Sequence, residues 1–187
     1  MIKTLILLFF LAGFGITTNV HSDTLKAQRI ASLYEEADFV GFVKILSGEF
    51  KEYSGAVYKA RVLKILKGNP IETEIYLGPF SGYGIGSEYL LFSRKTGQTL
   101  ATHWPQDRQS RDSLSFPANA EYFSIMFEGF GMMSIQYVVR LDGNAVEIPT
   151  HIKLPPELKE KIKRSDNKEW VGKDDIAKYL ESFGKAH

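Results

Sequence analysis

Residues 57–66 constrain the fold more than any other stretch. Tyr58, Ala60 and Val62 alternate with Lys59 and Arg61, the two-residue period of a strand with one wet face. Leu63 and Ile65 then take the other phase around Lys64, so the inward face is expected to switch near Val62 and Leu63. A bulge makes that switch, and a strand bent in this way can serve two parts of a small barrel. Lys67-Gly68-Asn69-Pro70 then stops the strand.

The neighbouring segments have the same character. Residues 25–38 predict a short amphipathic helix, with Ile30, Leu33, Tyr34 and Ala37 on one side. Residues 39–46 form an apolar run interrupted by Gly41, which marks a bend or a close backbone approach. Residues 48–55 read as a hairpin loop. Thr73, Ile75 and Leu77 alternate with Glu72, Glu74 and Tyr76, a third strand with one wet face. Residues 89–93 and 100–104 form a further pair, joined through Lys95-Thr96-Gly97-Gln98. About five short strands with glycine-rich links predict a barrel or sandwich, and five is the number of an OB-fold.

Ala37-Asp38, Leu66-Lys67-Gly68 and Gly86-Ser87-Glu88-Tyr89-Leu90 occur in order, with the glycine-rich residues 78–86 between the third and fourth strands. Across residues 36–108 this succession resembles the N-terminal domain of the tissue inhibitors of metalloproteinases and the related netrin-like modules. The resemblance implies a five-stranded OB-fold barrel. It also shows departures. Where the family carries cysteines this chain has Gly82-Tyr83-Gly84 and Trp104, and it has no Cys anywhere. The inhibitors use a disulfide-linked N-terminal Cys to coordinate the zinc of their target. That group is missing here, and an unanchored terminus would lose ordering entropy on binding, so metalloproteinase inhibition of that type is not expected.

Residues 1–22 are read as a cleaved secretory signal, with Lys3 before an apolar run at 5–14 and Val20-His21-Ser22 ahead of Asp23. The run is about ten residues, short of the ~20 that span a bilayer, so no membrane span is expected after signal removal. Secreted or periplasmic localisation follows, and the absence of disulfides favours a bacterial-type protein. The expected division is a signal peptide at 1–22, a netrin-like OB-fold domain at 23–108 and an α+β C-terminal extension at 109–187. In the extension, 123–127, 134–141 and 146–152 are strand candidates, with Asp142-Gly143-Asn144 as a hairpin turn. Residues 157–164 suggest a short charged helix, and 173–183 a helix with Asp174 and Asp175 in its first turn. The fold class is therefore mostly β, α+β overall.

Charge and motifs narrow the function. Lys and Arg total 23 against 22 Asp and Glu, a balance that disfavours nucleic acid, whose binding depends on a positive field. The 4 His are widely separated, so no metal site or cofactor is expected. Gly82-Tyr83-Gly84-Ile85-Gly86 lacks the Gly-Lys-Ser/Thr ending of a phosphate loop. Glu35-Glu36 and Asp174-Asp175 are adjacent pairs that point apart on a helix, and no catalytic residue is assigned. OB barrels bind ligands on their second and third strands and in the loops after the first and fourth. On this chain that face predicts Tyr53, Lys59, Arg61, Tyr76 and Tyr83 as ligand-binding residues. The expected function is a non-catalytic binding module for a protein or glycan, in the cell envelope or outside the cell. Two alternatives stand beside it: a protease inhibitor acting through residues 49–55, and an enzyme using His103, Asp107 and Arg108 at the barrel–extension junction.

Overall fold

Five strands close into a barrel in the computed structural model, which describes residues 26–51, 55–70, 72–100, 116–117 and 119–184. A two-residue strand β1 (Gln28–Arg29) and helix α1 (Ile30–Glu36) lead into β2 (Phe39–Lys51), β3 (Gly55–Lys67), β4 (Glu74–Gly78), β5 (Glu88–Thr99) and β6 (Glu121–Ile125). Antiparallel pairing joins β2 to β3, β3 to β4 and β2 to β5. The circuit is completed by β6, which runs parallel to β4 and antiparallel to β5. A three-strand meander with this return is the OB-fold.

The closing strand is a correction to the sequence reading. The strand that pairs with both β4 and β5 is β6, beyond residue 108, whereas the fifth strand is expected at 100–104. Leu100 is helical, and 101–104, with Trp104, lie outside the described residues. Strand β5 also continues through the expected turn at 95–98, its ladder with β6 skipping from Lys95 to Thr99 and Gly97 adopting φ +67°. The predicted loop at 48–55 is mostly ladder as well: Ser47 through Lys51 pair with Lys59 through Gly55. Polar side chains suggested a loop there, but pairing between two long strands overrides that weak local signal.

The bulge expected in β3 is present. Phe42 pairs with Lys64 and Val43 with Val62, leaving Leu63 as the extra residue. Leu63 and Ile65 do not turn inward, however; they are 43% and 45% exposed. Strand β4 flanks β3 only across Tyr58–Arg61, so beyond Val62 the strand has left the closed wall. Gly41 shows the close approach that its place in a strand implied, since a Cβ there would sit 2.5 Å from the Lys64 carbonyl oxygen.

The chain continues with β7 (Met132–Val138), β8 (Gly143–Ile148), β9 (Ile152–Lys153), α2 (Pro156–Lys159), β10 (Lys163–Ser165), β11 (Lys168–Gly172) and α3 (Lys173–Gly184). The expected hairpin joins β7 and β8, with Asp142 at φ 50°. The charged segment at 157–164 is only a four-residue helix followed by β10. Strands β10 and β11 were missed. Their turn is Asp166-Asn167, both at positive φ, the conformation of the turns that favour Asn and Asp in tight hairpins.

Strand β5 belongs to two cores. Tyr89 and Leu91 face the barrel interior with Phe39, Val43, Tyr58, Leu77 and Phe123. Leu90 and Phe92 face the opposite way, into a second core with Val40, Phe42, Leu33 of α1 and Ile176 and Leu180 of α3. The second core exists because β7 pairs with Glu88–Leu91 on β5 and carries β8, β11 and β10 outward as one sheet. Burial on both faces explains why the strand reads as an unbroken apolar run.

Candidate functional site

Register places three of the predicted ligand residues side by side. Across the β3–β4 ladder Lys59 is opposite Tyr76, and Arg61 is opposite Glu74. Side chains alternate along each strand, so while Ala60, Ile75 and Leu77 fill the barrel, Lys59, Arg61, Glu74 and Tyr76 share its outer face. The Lys59 Nζ lies 2.6 Å from Glu74 Oε2, and an Arg61 guanidinium nitrogen lies 3.7 Å from the other carboxylate oxygen. The hydrogen bond from Lys59 holds the Glu74 carboxyl below the usual carboxylate range, and the same bond holds the Lys59 ammonium above its own.

Beside this face, where the N-terminal ends of β4 and β6 diverge, a groove of about 260 Å³ opens. Pro70, Pro117 and Phe123 supply apolar wall, and Glu72, Glu74 and Glu121 supply carboxylates. Lys95 on β5 lies 3.3 Å from Glu121. Glu72 is exposed and has no ion-pair partner among the described residues. Tyr76 lines the groove but is only 6% exposed, its ring packed at 5.3 Å from that of Phe116. The outer face of β4 is therefore less wet than its alternation suggested, because residues remote in sequence cover it.

Tyr83 is elsewhere. It comes from the glycine-rich link and sits against one end of the barrel, its ring 5.5 Å from both Tyr58 and Tyr89 in edge contacts. Its hydroxyl donates to the Gly129 carbonyl at 2.9 Å, and the Gly84 amide donates to the Tyr89 hydroxyl at 2.7 Å. Gly48 leaves room for this arrangement, since a Cβ there would meet the Tyr58 ring at 2.8 Å. Tyr83 and Tyr76 are thus parts of separate clusters and form no common stacking surface. Tyr53 lies outside the described residues, as do His103, Asp107 and Arg108; of the expected inhibitory loop at 49–55, residues 52–54 lie outside the described residues, between Lys51 and Gly55.

Removing the Tyr83 hydroxyl isolates what this latch contributes. Tyr83→Phe is expected to lower stability by about 1 kcal/mol at neutral pH through loss of the bond to Gly129, checked by chemical denaturation. Burial, and then the neighbouring Tyr58 and Tyr89, raise the Tyr83 pKa above its ordinary value. In the unfolded chain it ionises near pH ~10. The stabilisation is full below that pH and is lost as pH climbs above it, because the unfolded state releases its proton first. Tyr83→Phe should therefore flatten the alkaline decline in melting temperature. A residual slope should remain from Tyr122, also raised by burial.

Of the groove residues, sequence reasoning gives a ligand role only to Tyr76; Pro70, Glu72, Glu74, Pro117 and Glu121 are among those it missed. Pro70 precedes the predicted third strand and Glu72 falls on its expected wet face, but Pro117 and Glu121 are placed there only by the parallel pairing of β6 with β4. Comparison with protein-family models, curated proteins and solved structures finds no match for this chain.

Proposed function

We propose that the chain is an exported, non-catalytic binding module, netrin-like in kind, that takes a basic polypeptide segment into the groove beside β4. The observation that carries this reading is the position of the groove. It lies along the third barrel strand, beside the face of the second and third strands on which OB-folds receive ligands. Its chemistry suits a peptide. Prolines and Phe123 offer apolar contact, and Glu72 adds a carboxylate with no cation assigned to it among the described residues. A Lys or Arg on the ligand would complete that pair. The Glu74 carboxyl is held in its ionised form by Lys59, which suits recognition better than acid–base work, where a pKa near the working pH is needed. Of the two ligand classes, protein is favoured over glycan because Tyr76 is buried against Phe116 and Tyr83 packs with Tyr58 and Tyr89 in a separate cluster, so the two rings form no common stacking surface for a sugar.

A random peptide display library panned on the purified chain tests this. Enriched peptides should carry Lys or Arg, and Glu72→Lys with Glu121→Lys should weaken their binding by about tenfold or more, since a hydrogen-bonded charge contact contributes ~1.5–3 kcal/mol. Retention of binding by the double variant, or a strong glycan-array signal without any peptide signal, would overturn the reading.

A further inference from the structure

A second hollow, on the opposite chemistry, lies where β1 meets β9. It measures about 430 Å³, within the size range of small-ligand sites. Its apolar lining includes Ile30, Leu154, Pro155 and the ring of Tyr179. Three cations line it as well: Arg29, Lys153 and Lys159.

Two of these cations are held together by the backbone. Strands β1 and β9 run parallel, and Arg29 is the direct register partner of Lys153. Neighbouring strands are about 4.8 Å apart, and register partners project to the same side. Like charges set opposite each other in a ladder oppose folding, and here nothing offsets them: among the described residues neither Arg29, Lys153 nor Lys159 has a carboxylate within ion-pair distance. Glu35 and Glu157 are near enough to act, after burial, on the Tyr179 hydroxyl, yet neither pairs with the three cations. Lys161, Arg164 and Lys168 of the sheet extension are each matched to an acid, while Arg140, Lys163 and Lys178 are exposed and, like the three cations of the hollow, have no acid partner among the described residues. What sets Arg29, Lys153 and Lys159 apart is that they line one hollow together.

We propose that this hollow binds a phosphate-bearing ligand with an apolar portion, its phosphate held by Arg29, Lys153 and Lys159. A multiply charged anion answers three unmatched cations, and the planar guanidinium of Arg29 suits two phosphate oxygens at once. The apolar portion rests on Ile30, Leu154, Pro155 and Tyr179. A soluble phosphate ester and a phospholipid headgroup share this chemistry.

Isothermal titration of the purified chain with hexyl phosphate and with inorganic phosphate tests the site, alongside sedimentation with phosphatidylglycerol and phosphatidylcholine vesicles. Hexyl phosphate should bind more tightly than inorganic phosphate, and its affinity should fall with added salt. Arg29→Gln and Lys153→Gln should each weaken it about tenfold. Without ligand, the same variants should leave the melting temperature unchanged or raise it, because one of two opposed charges has gone. Sedimentation with phosphatidylglycerol vesicles that the double variant loses would identify a membrane source; binding of the ester alone would identify a soluble one. Absence of hexyl phosphate binding, binding that the double variant retains, or variants that melt lower without ligand would each overturn the proposal.

Discussion

Phe92→Ala and Leu91→Ala are each expected to remove several kcal/mol of stability while unfolding remains a single transition. Both side chains are fully buried and adjacent on β5, yet they lie in different cores. Large-to-small substitution in a packed interior costs ~3–5 kcal/mol for Phe and ~2–5 kcal/mol for Leu, the removed contacts and the residual cavity both contributing. At this chain length 1 kcal/mol shifts the melting temperature by about 2–4 °C, so each variant should melt roughly 10 °C lower. A barrel and an extension that were independent would respond separately, one transition moving and the other staying. Strand β5 forbids that. It supplies the barrel wall on one face and the floor of the helix-covered core on the other, and its edge pairs with both β6 and β7. Calorimetry with matched fluorescence and circular dichroism melts decides the point. Two separable transitions in either variant would show that the cores fold apart.

The second large effect falls on Gly68. Its φ is +82°, and a Cβ would lie 2.2 Å from the Asp38 carbonyl oxygen and 3.3 Å from the Phe39 Cα. The obstructing atoms are backbone, where α1 hands over to β2, and cannot rotate aside. An alanine in the left-handed region costs about 1–2 kcal/mol by itself, and the overlap adds to it. Gly68→Ala is expected to cost about 3 kcal/mol or more. Gly86 is the control. It has nearly the same φ, +84°, but nothing within 4 Å of its virtual Cβ, so Gly86→Ala should cost only about 1 kcal/mol. Denaturant titration of the two variants separates conformational strain from steric overlap; equal losses would remove the second cause.

Gly68 also illustrates how much was legible in advance. As part of Lys67-Gly68-Asn69-Pro70 it marks a strand end from sequence alone, but the reason alanine cannot replace it is the carbonyl of a residue thirty positions earlier. The same division runs through the binding face. Lys59 and Arg61 are readable as one wet side of a strand, and their convergence with Tyr76 follows from simple hairpin register. The groove next to them is not readable, because Pro117 and Glu121 arrive through a parallel pairing with no local signature. Tyr83 shows a role that no local pattern announces. An aromatic residue in a glycine-rich link suggests an exposed platform, whereas the fold uses it to latch the link onto the barrel. The β10–β11 hairpin was within reach, since Asp166-Asn167 carries a turn signal between short β-compatible segments.

From the order of residues alone came the strand periods, a bulge near Val62 and Leu63, the helix with Ile176 and Leu180 on one face, and hence the five-stranded barrel with its appended hairpin and helix. Tertiary structure alone decided that β6 closes the barrel, that β5 is buried on both faces, and that Leu63 and Ile65 remain exposed. The reason is physical. Alternation and turn chemistry are set by neighbours along the chain, whereas the choice of pairing partner is a competition among distant segments, settled by how much apolar surface each arrangement removes from water.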